Sequence, residues 1–260
     1  MTQTTAVHWV GAGLASGPGI ISLAEAGVAL TVWDQTPDRA EMLREELSPN
    51  ATMDICTLDL AKSVSVAEFM AKVEPNDVIV SMLPAALHMQ MAEIALEASA
   101  HLVTSSYISP EMAGLHALAE NAGVAFVNEV GLDPGIDHLF AYLLVDAAES
   151  AGVMGQGNAI EFVSYCGGVP AVKTDFTYKF AWTPYGVLTA LKNEARFIEG
   201  ANRKTVEKAW EDVSSMDIFG ETFEVYANRD SLPYVGEYGF GGEENLVKFV
   251  RGTLRLAGWK

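Results

Sequence analysis

The residues with the clearest chemical meaning stand near the start of the chain. Gly11-Ala12-Gly13-Leu14-Ala15-Ser16-Gly17 follows the apolar run Val7–Val10. In a loop that cradles a dinucleotide, the first glycine makes the tight turn. The second lets backbone N–H groups approach the pyrophosphate, and the third position needs a small residue for close helix–strand packing. Gly11, Gly13 and Ser16 meet these needs, and Leu14 and Ala15 carry the backbone between them. The pyrophosphate is expected on the N-terminus of the helix that follows, where free N–H groups and the helix dipole favour an anion. Asp34 lies 21 positions after Gly13, at the end of the second apolar run. A carboxylate there accepts hydrogen bonds from the adenosine ribose hydroxyls and repels a 2′-phosphate. NAD is therefore the expected cofactor. NADP stays open, because Arg39 is placed to reach a 2′-phosphate.

Elements of the right kind flank this loop. Short apolar runs at 7–10, 29–33, 52–55, 77–81, 101–104 and 125–128 alternate with helical patterns at 16–26, 37–47, 86–98 and 110–121. Such alternation predicts parallel strands joined by crossover helices, a doubly wound α/β sheet. Residues 135–149 read as a linking helix. Beyond Gly152 the pattern becomes mixed: strands are expected at 159–165, 176–180 and 222–226, and helices at 185–193 and 205–212. The division is a dinucleotide-binding domain over 1–135 and a mixed α+β substrate domain over 136–260.

Ligands of an open parallel sheet sit beyond the carboxyl ends of its strands. Three segments fall there: Ser81-Met82-Leu83-Pro84, then 104–110 (TSSYISP), then 128–138 (NEVGLDPGIDH). Ser81, Leu83 and Pro84 are expected beside the cofactor. Serine, aspartate, glycine and proline also make ordinary turns and caps. For Ser109 before Pro110 the cap is the better reading. For Asp133 before Pro134 the two readings are balanced on the residues alone.

Composition narrows the function classes. Of the 260 residues 50% are hydrophobic and 19% charged, so a packed core is expected. No apolar run reaches the ~18 residues of a membrane span, and a cytoplasmic location is expected. A formal charge of -18 repels phosphate backbones and argues against nucleic acid. The imbalance lies in residues 1–150, with 4 Lys+Arg against 20 Asp+Glu, whereas 151–260 hold 12 against 14. Cations gathered in the second part suit an anionic substrate, and a solvated surface explains them almost as well. The two cysteines, Cys56 and Cys166, lie far apart, and the five histidines do not cluster with them or with carboxylates at ligand spacing. Neither a disulfide scaffold nor a metal is expected.

Seven segments in order, SMLP, TSSYISPEM, NEVGLDPGIDH, SYCGG, YKFAWTPYGVL, NRDSLPY and RGTLR, span nearly the whole chain. Together they closely resemble the glutamate-forming saccharopine dehydrogenases, or saccharopine reductases. The resemblance implies a Rossmann domain followed by a substrate domain. It also implies interconversion of saccharopine with glutamate and 2-aminoadipate 6-semialdehyde, using a nicotinamide cofactor. The alternatives are an oxidoreductase of another secondary amine, such as carboxynorspermidine, and a non-catalytic dinucleotide-binding module. Two features depart from the family. Lys179-Phe180-Ala181-Trp182 stands where KFSW is usual, and members continue well beyond RGTLR whereas this chain stops at Lys260. The substrate domain is thus expected to be incomplete, with apolar surface that favours self-association, and a homo-oligomer is expected.

Saccharopine is a secondary amine with three carboxylates. Its oxidation needs a hydride acceptor, an acid/base for the amine and water, and cations for the carboxylates. The resemblance implies Asp133, Tyr107 and Cys166 as the catalytic set, without covalent catalysis by the thiol. It implies Ser106, Gly167, Trp182, Arg229, Arg251 and Thr253 as substrate contacts. Arg229 is the best carboxylate clamp, since guanidinium presents a planar fork. Arg251 and Arg255 also read as alternate outward residues of a strand, and His138 as a structural helix residue.

Overall fold

A computed structural model of the protein describes residues 5–172, 176–182, 184–242 and 245–260. The chain forms two compact units that divide between Gly135 and Ile136.

The first unit holds β1 (Val7–Val10), α1 (Gly17–Glu25), β2 (Leu30–Asp34), α2 (Asp38–Glu45), β3 (Asp54–Thr57), α3 (Ser63–Met70) and β4 (Val78–Ser81). It continues through α4 (His88–Ala98), β5 (His101–Thr104), α5 (Pro110–Ala113), α6 (His116–Ala122) and β6 (Phe126–Val127). The strands form one sheet in the order β3-β2-β1-β4-β5-β6. Every pairing in it is parallel. The chain therefore winds outward in both directions from β1, and the doubly wound expectation holds. Each face carries its own apolar cluster. One contains Val10, Trp33, Phe69, Ile79, Met91 and Leu102; the other contains Trp9, Ile20, Val32 and Leu43.

Two local readings change. The helix expected over 110–121 breaks at Gly114 into α5 and α6, and Ser109 caps α5 by accepting the Met112 N–H at 3.1 Å. Helix α3 was not expected. Its SVSVAEFM sequence mixes serine and valine, weak helix formers whose spacing imitates a strand. Tertiary packing decides the matter: Phe69 is fully buried and meets the Trp33 ring edge-on, 4.8 Å between centroids.

The second unit holds α7 (Ile136–Ser150), β7 (Ile160–Cys166), α8 (Pro184–Ala190), β8 (Ala195–Glu199), β9 (Asn202–Val206), β10 (Ser214–Ile218), β11 (Glu221–Ala227), α9 (Pro233–Glu237) and β12 (Leu246–Leu256). Its sheet runs β10-β11-β12-β8-β9, and β7 lies parallel to β12. Long β12 is the spine, since β7, β8 and β11 all pair with it. Phe249 anchors the spine, fully buried and stacked on Phe162 at 4.9 Å. Helix α7 buries Ala141 and Val145 and leaves Leu139, Phe140, Leu143 and Leu144 exposed.

The mixed character holds, but several elements differ from the reading above. Residues 176–180 form no strand; Phe176, Tyr178 and Phe180 instead contact one another and Trp259 by their rings. The helix expected at 205–212 is the end of β9 followed by a single 3-10 turn, Ala209–Asp212. Strands β9 and β10 went unread because they are polar, and β8 because Arg196 and Glu199 interrupt its apolar residues. Two hairpins close them with positive φ at both turn residues, Gly200-Ala201 and Phe219-Gly220, the geometry that matches strand twist.

A buried histidine makes the first unit sensitive to acid. His8 on β1 is 3% exposed. The Trp33 indole N–H donates to its Nδ1 at 3.2 Å, so the ring proton sits on Nε2, 3.2 Å from Asp77 Oδ2. Burial lowers the His8 pKa from 6.5 and outweighs the raising effect of Asp77; burial lowers that of His88 as well. A histidine kept neutral in the fold binds protons more readily when unfolded, so stability falls as pH drops through the unfolded value. The urea midpoint of the first unit's transition is expected to decline between about pH 7 and about pH 5.5, before carboxylates titrate. A midpoint that is flat or rises over that window contradicts this reading.

Candidate functional site

The glycine loop is built around Gly11. Its φ is +100°, a conformation that favours glycine, and a Cβ there would lie 3.0 Å from the Met82 carbonyl oxygen. Its N–H donates to Trp33 O at 2.7 Å, and its carbonyl accepts the Ser16 hydroxyl at 2.7 Å and the Trp9 indole N–H at 3.1 Å. Ser16 is buried, and α1 starts one residue later. Gly13, Leu14 and Ala15 are exposed, and a Cβ on Gly13 would meet nothing within 4 Å. No hydrogen bond of the described residues uses the N–H groups of Leu14 or Ala15. Open backbone donors at the start of a helix fit a dinucleotide pyrophosphate.

Asp34 closes the loop from the side. Its Oδ2 accepts the Ala12 N–H at 2.6 Å and its Oδ1 the Thr36 N–H at 3.1 Å. The carboxylate is thus held at the end of β2, beside the loop. Arg39 reaches the same place, donating from Nε to Gly13 O at 3.3 Å. Across the switch point, Leu83 comes within 3.4 Å of where a Gly11 Cβ would sit, and Pro84 is exposed. Ser81 differs from its neighbours: it is fully buried and turns its hydroxyl to His88, so its side chain does not face an open crevice.

The next two strand ends are laced together. The Thr104 hydroxyl donates to Asn128 Oδ1 at 3.1 Å, Glu129 N donates to Ser106 O at 3.1 Å, and Ile108 N donates to Glu129 Oε1 at 3.1 Å. This brings Tyr107 and Asp133 together, the phenol donating to Asp133 Oδ1 at 2.5 Å. The 131–135 turn allows little side-chain bulk: Gly135 has φ +142°, and a Cβ on it would lie 2.2 Å from Gly131 O. Ser106 joins the group through its hydroxyl, 2.8 Å from His88 Nε2. His88, buried and pinned between Ser81 and Ser106, was missed in the sequence; nothing in its spacing marks it.

In the second unit, Cys166 ends β7 and stands in register with Thr253 of β12, which stands in register with Tyr226 of β11. Gly167 follows, and here only glycine fits: a Cβ would lie 1.9 Å from Leu254 O. Arg251 and Arg255, read above as outward strand residues, are 8% and 5% exposed. The Arg251 guanidinium is paired with Asp137 and lies 4.0 Å over the Tyr234 ring. Arg255 lies over the Tyr178 and Trp259 rings. Trp182 is 46% exposed and donates its indole N–H to Tyr178 Oη at 3.2 Å. Arg229 is exposed, at φ +54°, in a turn where Asp230 is engaged by Arg196 and by the Leu232 N–H. His138 lies in α7 as expected, with Nδ1 2.6 Å from Tyr238 Oη. Within each unit the named residues therefore gather: the glycine loop, Asp34 and the Tyr107–Asp133 pair in the first, and the Cys166–Thr253 row in the second. Among the described residues no group of three or more His, Cys, Asp or Glu is arranged to hold a metal, and no helix is long and apolar enough to cross a membrane.

The chain is similar to known proteins in sequence and fold. Residues 7–127 match the family described as Saccharopine dehydrogenase NADP binding domain, and residues 131–260 that described as Saccharopine dehydrogenase C-terminal domain. The chain is 34% identical over 262 residues to a saccharopine dehydrogenase [NADP(+), L-glutamate-forming] of Pyricularia oryzae, covering 98% of this chain and 55% of that protein. It is 32% identical over 269 residues to the mitochondrial alpha-aminoadipic semialdehyde synthase of Mus musculus, covering 100% of this chain and 27% of that protein. The structure of apo saccharopine dehydrogenase (L-Glu forming) from Saccharomyces cerevisiae superposes with a TM-score of 0.79 at 32% identity, over 98% of this chain and 56% of that one. The chain spans about half the length of the glutamate-forming relatives it matches. With both units matched in order and the doubly wound sheet in place, the chain belongs to the saccharopine dehydrogenase family.

Proposed function

We propose that the protein oxidises saccharopine to glutamate and 2-aminoadipate 6-semialdehyde, or runs the reverse reaction, with a nicotinamide dinucleotide. The observation that carries this reading is the Tyr107–Asp133 pair, held at the carboxyl end of the same sheet that carries the open glycine loop. A nicotinamide dinucleotide, when bound, supplies the hydride acceptor. The residues for it are Gly11, Gly13, Leu14, Ala15 and Ser16, with Asp34 toward the ribose.

The chain's own groups handle protons and charge. Asp133 holds the secondary ammonium of saccharopine and takes its proton as the amine becomes an imine. Tyr107, already hydrogen-bonded to Asp133, passes a proton between that carboxylate and the water that adds to the imine. Collapse of the carbinolamine then releases glutamate as the leaving amine. In the second unit, Arg229 offers a guanidinium to a substrate carboxylate. Thr253 and Gly167 offer a hydroxyl and a backbone N–H, and Cys166 lines the substrate without forming a bond to it. Arg251 is occupied by Asp137 and takes no part in binding.

We propose NAD over NADP, because the Asp34 carboxylate beside the loop repels a 2′-phosphate. Arg39 beside Gly13, and relatives named for NADP(+), favour the second reading. Titration of the chain with both dinucleotides, with saccharopine-dependent reduction and glutamate release followed in parallel, tests function and cofactor together. Saccharopine-dependent glutamate release with tighter NAD binding is expected, and Asp34→Ser is expected to narrow the preference. Tighter NADP binding by the wild type sinks the NAD assignment; no reduction of either dinucleotide sinks the function. Arg229→Ala is expected to raise the saccharopine KM roughly tenfold to a hundredfold, the cost of a lost charged hydrogen bond. Dinucleotide affinity should stay unchanged, and an unchanged KM in a folded variant removes Arg229 from the site.

A further inference from the structure

His88 is the first residue of α4, is 4% exposed, and joins two hydroxyls at the ends of adjacent strands. Its Nδ1 lies 2.9 Å from Ser81 Oγ and its Nε2 lies 2.8 Å from Ser106 Oγ. Ser81 and Thr104, the last residues of β4 and β5, stand in register, so the imidazole spans the switch-point side of the sheet and the strand end next to it. Among the described residues no carboxylate forms an ion pair with His88. A neutral imidazole has one donor and one acceptor nitrogen. One serine must therefore accept the ring proton and the other must donate to the bare nitrogen, so both hydroxyl oxygens are held by the ring. Ser106 is further held by the Glu129 N–H on its carbonyl, and the next residue is Tyr107, bonded to Asp133.

We propose that His88 is a positioning residue for the reaction, acting through Ser106. The imidazole sets the Ser106 hydroxyl and holds the strand end from which Tyr107 reaches Asp133. This rests on the functional reading above, in which Tyr107 serves the reaction, and on Ser106 as the substrate contact that the family resemblance implies. A merely structural histidine would fill space and could be replaced by any polar side chain of similar bulk. A positioning histidine needs a polar atom where Nε2 stands, facing Ser106, whereas the Nδ1 contact to Ser81 is an anchor alone.

Two amide variants separate these roles, because asparagine places its amide near the Nδ1 position and glutamine, one methylene longer, near the Nε2 position. His88→Asn is expected to lower kcat/KM for saccharopine about tenfold or more, and His88→Gln to restore it to within about threefold of the wild type. The dinucleotide Kd, read by fluorescence titration, should not move in either variant. Equal losses in the two variants, or no loss in His88→Asn, overturn the proposal. If His88→Asn fails to fold by circular dichroism, Ser106→Ala serves instead, since it removes the acting hydroxyl without touching the buried ring. It is expected to lose about tenfold in kcat/KM, and full activity overturns the proposal. If the wild type does not turn over saccharopine, the functional reading fails separately. Amide exchange at Ser106 and Tyr107 then decides: faster exchange in His88→Asn than in His88→Gln supports the wiring, and equal exchange overturns it.

Discussion

The architecture of the first unit depends on one residue that cannot carry a side chain. Gly11 ends β1 at positive φ, gives its N–H to Trp33 O, and takes two donors, Ser16 Oγ and the Trp9 indole, on its carbonyl. A Cβ built on it would lie 3.0 Å from the Met82 carbonyl oxygen. These bonds draw together the ends of β1 and β2, the start of α1 and the exit of β4. The sheet order reverses between β1 and β4, so the crevice opens at that point. Asp34 reinforces the constraint by taking the Ala12 N–H, which leaves Gly13 to Ala15 as the exposed stretch. The capacity to hold an anionic dinucleotide follows from where backbone donors are spent and where they are left.

The same logic extends along the carboxyl edge. Loops after β5 and β6 have no partner strand to satisfy them, and they satisfy each other through Thr104–Asn128, Ser106–Glu129 and Ile108–Glu129. A buried polar group is costly unless it is paired, so this lacing also sets where Tyr107 and Asp133 can stand. In the second unit β12 plays the organising part. Its Arg251 is nearly buried and must be paired, and Asp137 of α7 does this. Removing one partner of such a pair is expensive, because the other charge is left uncompensated. This is the physical reason to assign Arg251 to the frame.

Much of this was legible in the sequence, and the exceptions are instructive. The parallel sheet shows as apolar runs alternating with helical patterns, and the glycine loop and Asp34 show because backbone chemistry demands those residue types at that spacing. Tyr107 and Asp133 lie 26 positions apart, and only the family resemblance joined them; the hydrogen bond between them is a product of the loops folding over one another. Helix α3 hid behind serine and valine, and burial of Phe69 decided it. Residues 176–180 alternate like a strand but pack ring against ring. Arg255 looked like a surface residue because charge usually is, yet two aromatic faces cover it. His88 carries no motif, since its partners come from a strand before it and a loop after it.

The central proposal is that this chain directs hydride transfer to a nicotinamide dinucleotide from the carbon of saccharopine that becomes the aldehyde. Isotope transfer measures it most directly. Saccharopine deuterated at the methylene carbon beside the secondary amine, on the side that yields the semialdehyde, is incubated with the chain and a nicotinamide dinucleotide, and the products are analysed by mass spectrometry. The account predicts one deuterium in the reduced dinucleotide, one retained on the semialdehyde, and unlabelled glutamate released in equal amount. Unlabelled reduced dinucleotide formed with lysine and 2-oxoglutarate would place the oxidation on the other carbon and contradict the account, as would the absence of any transfer.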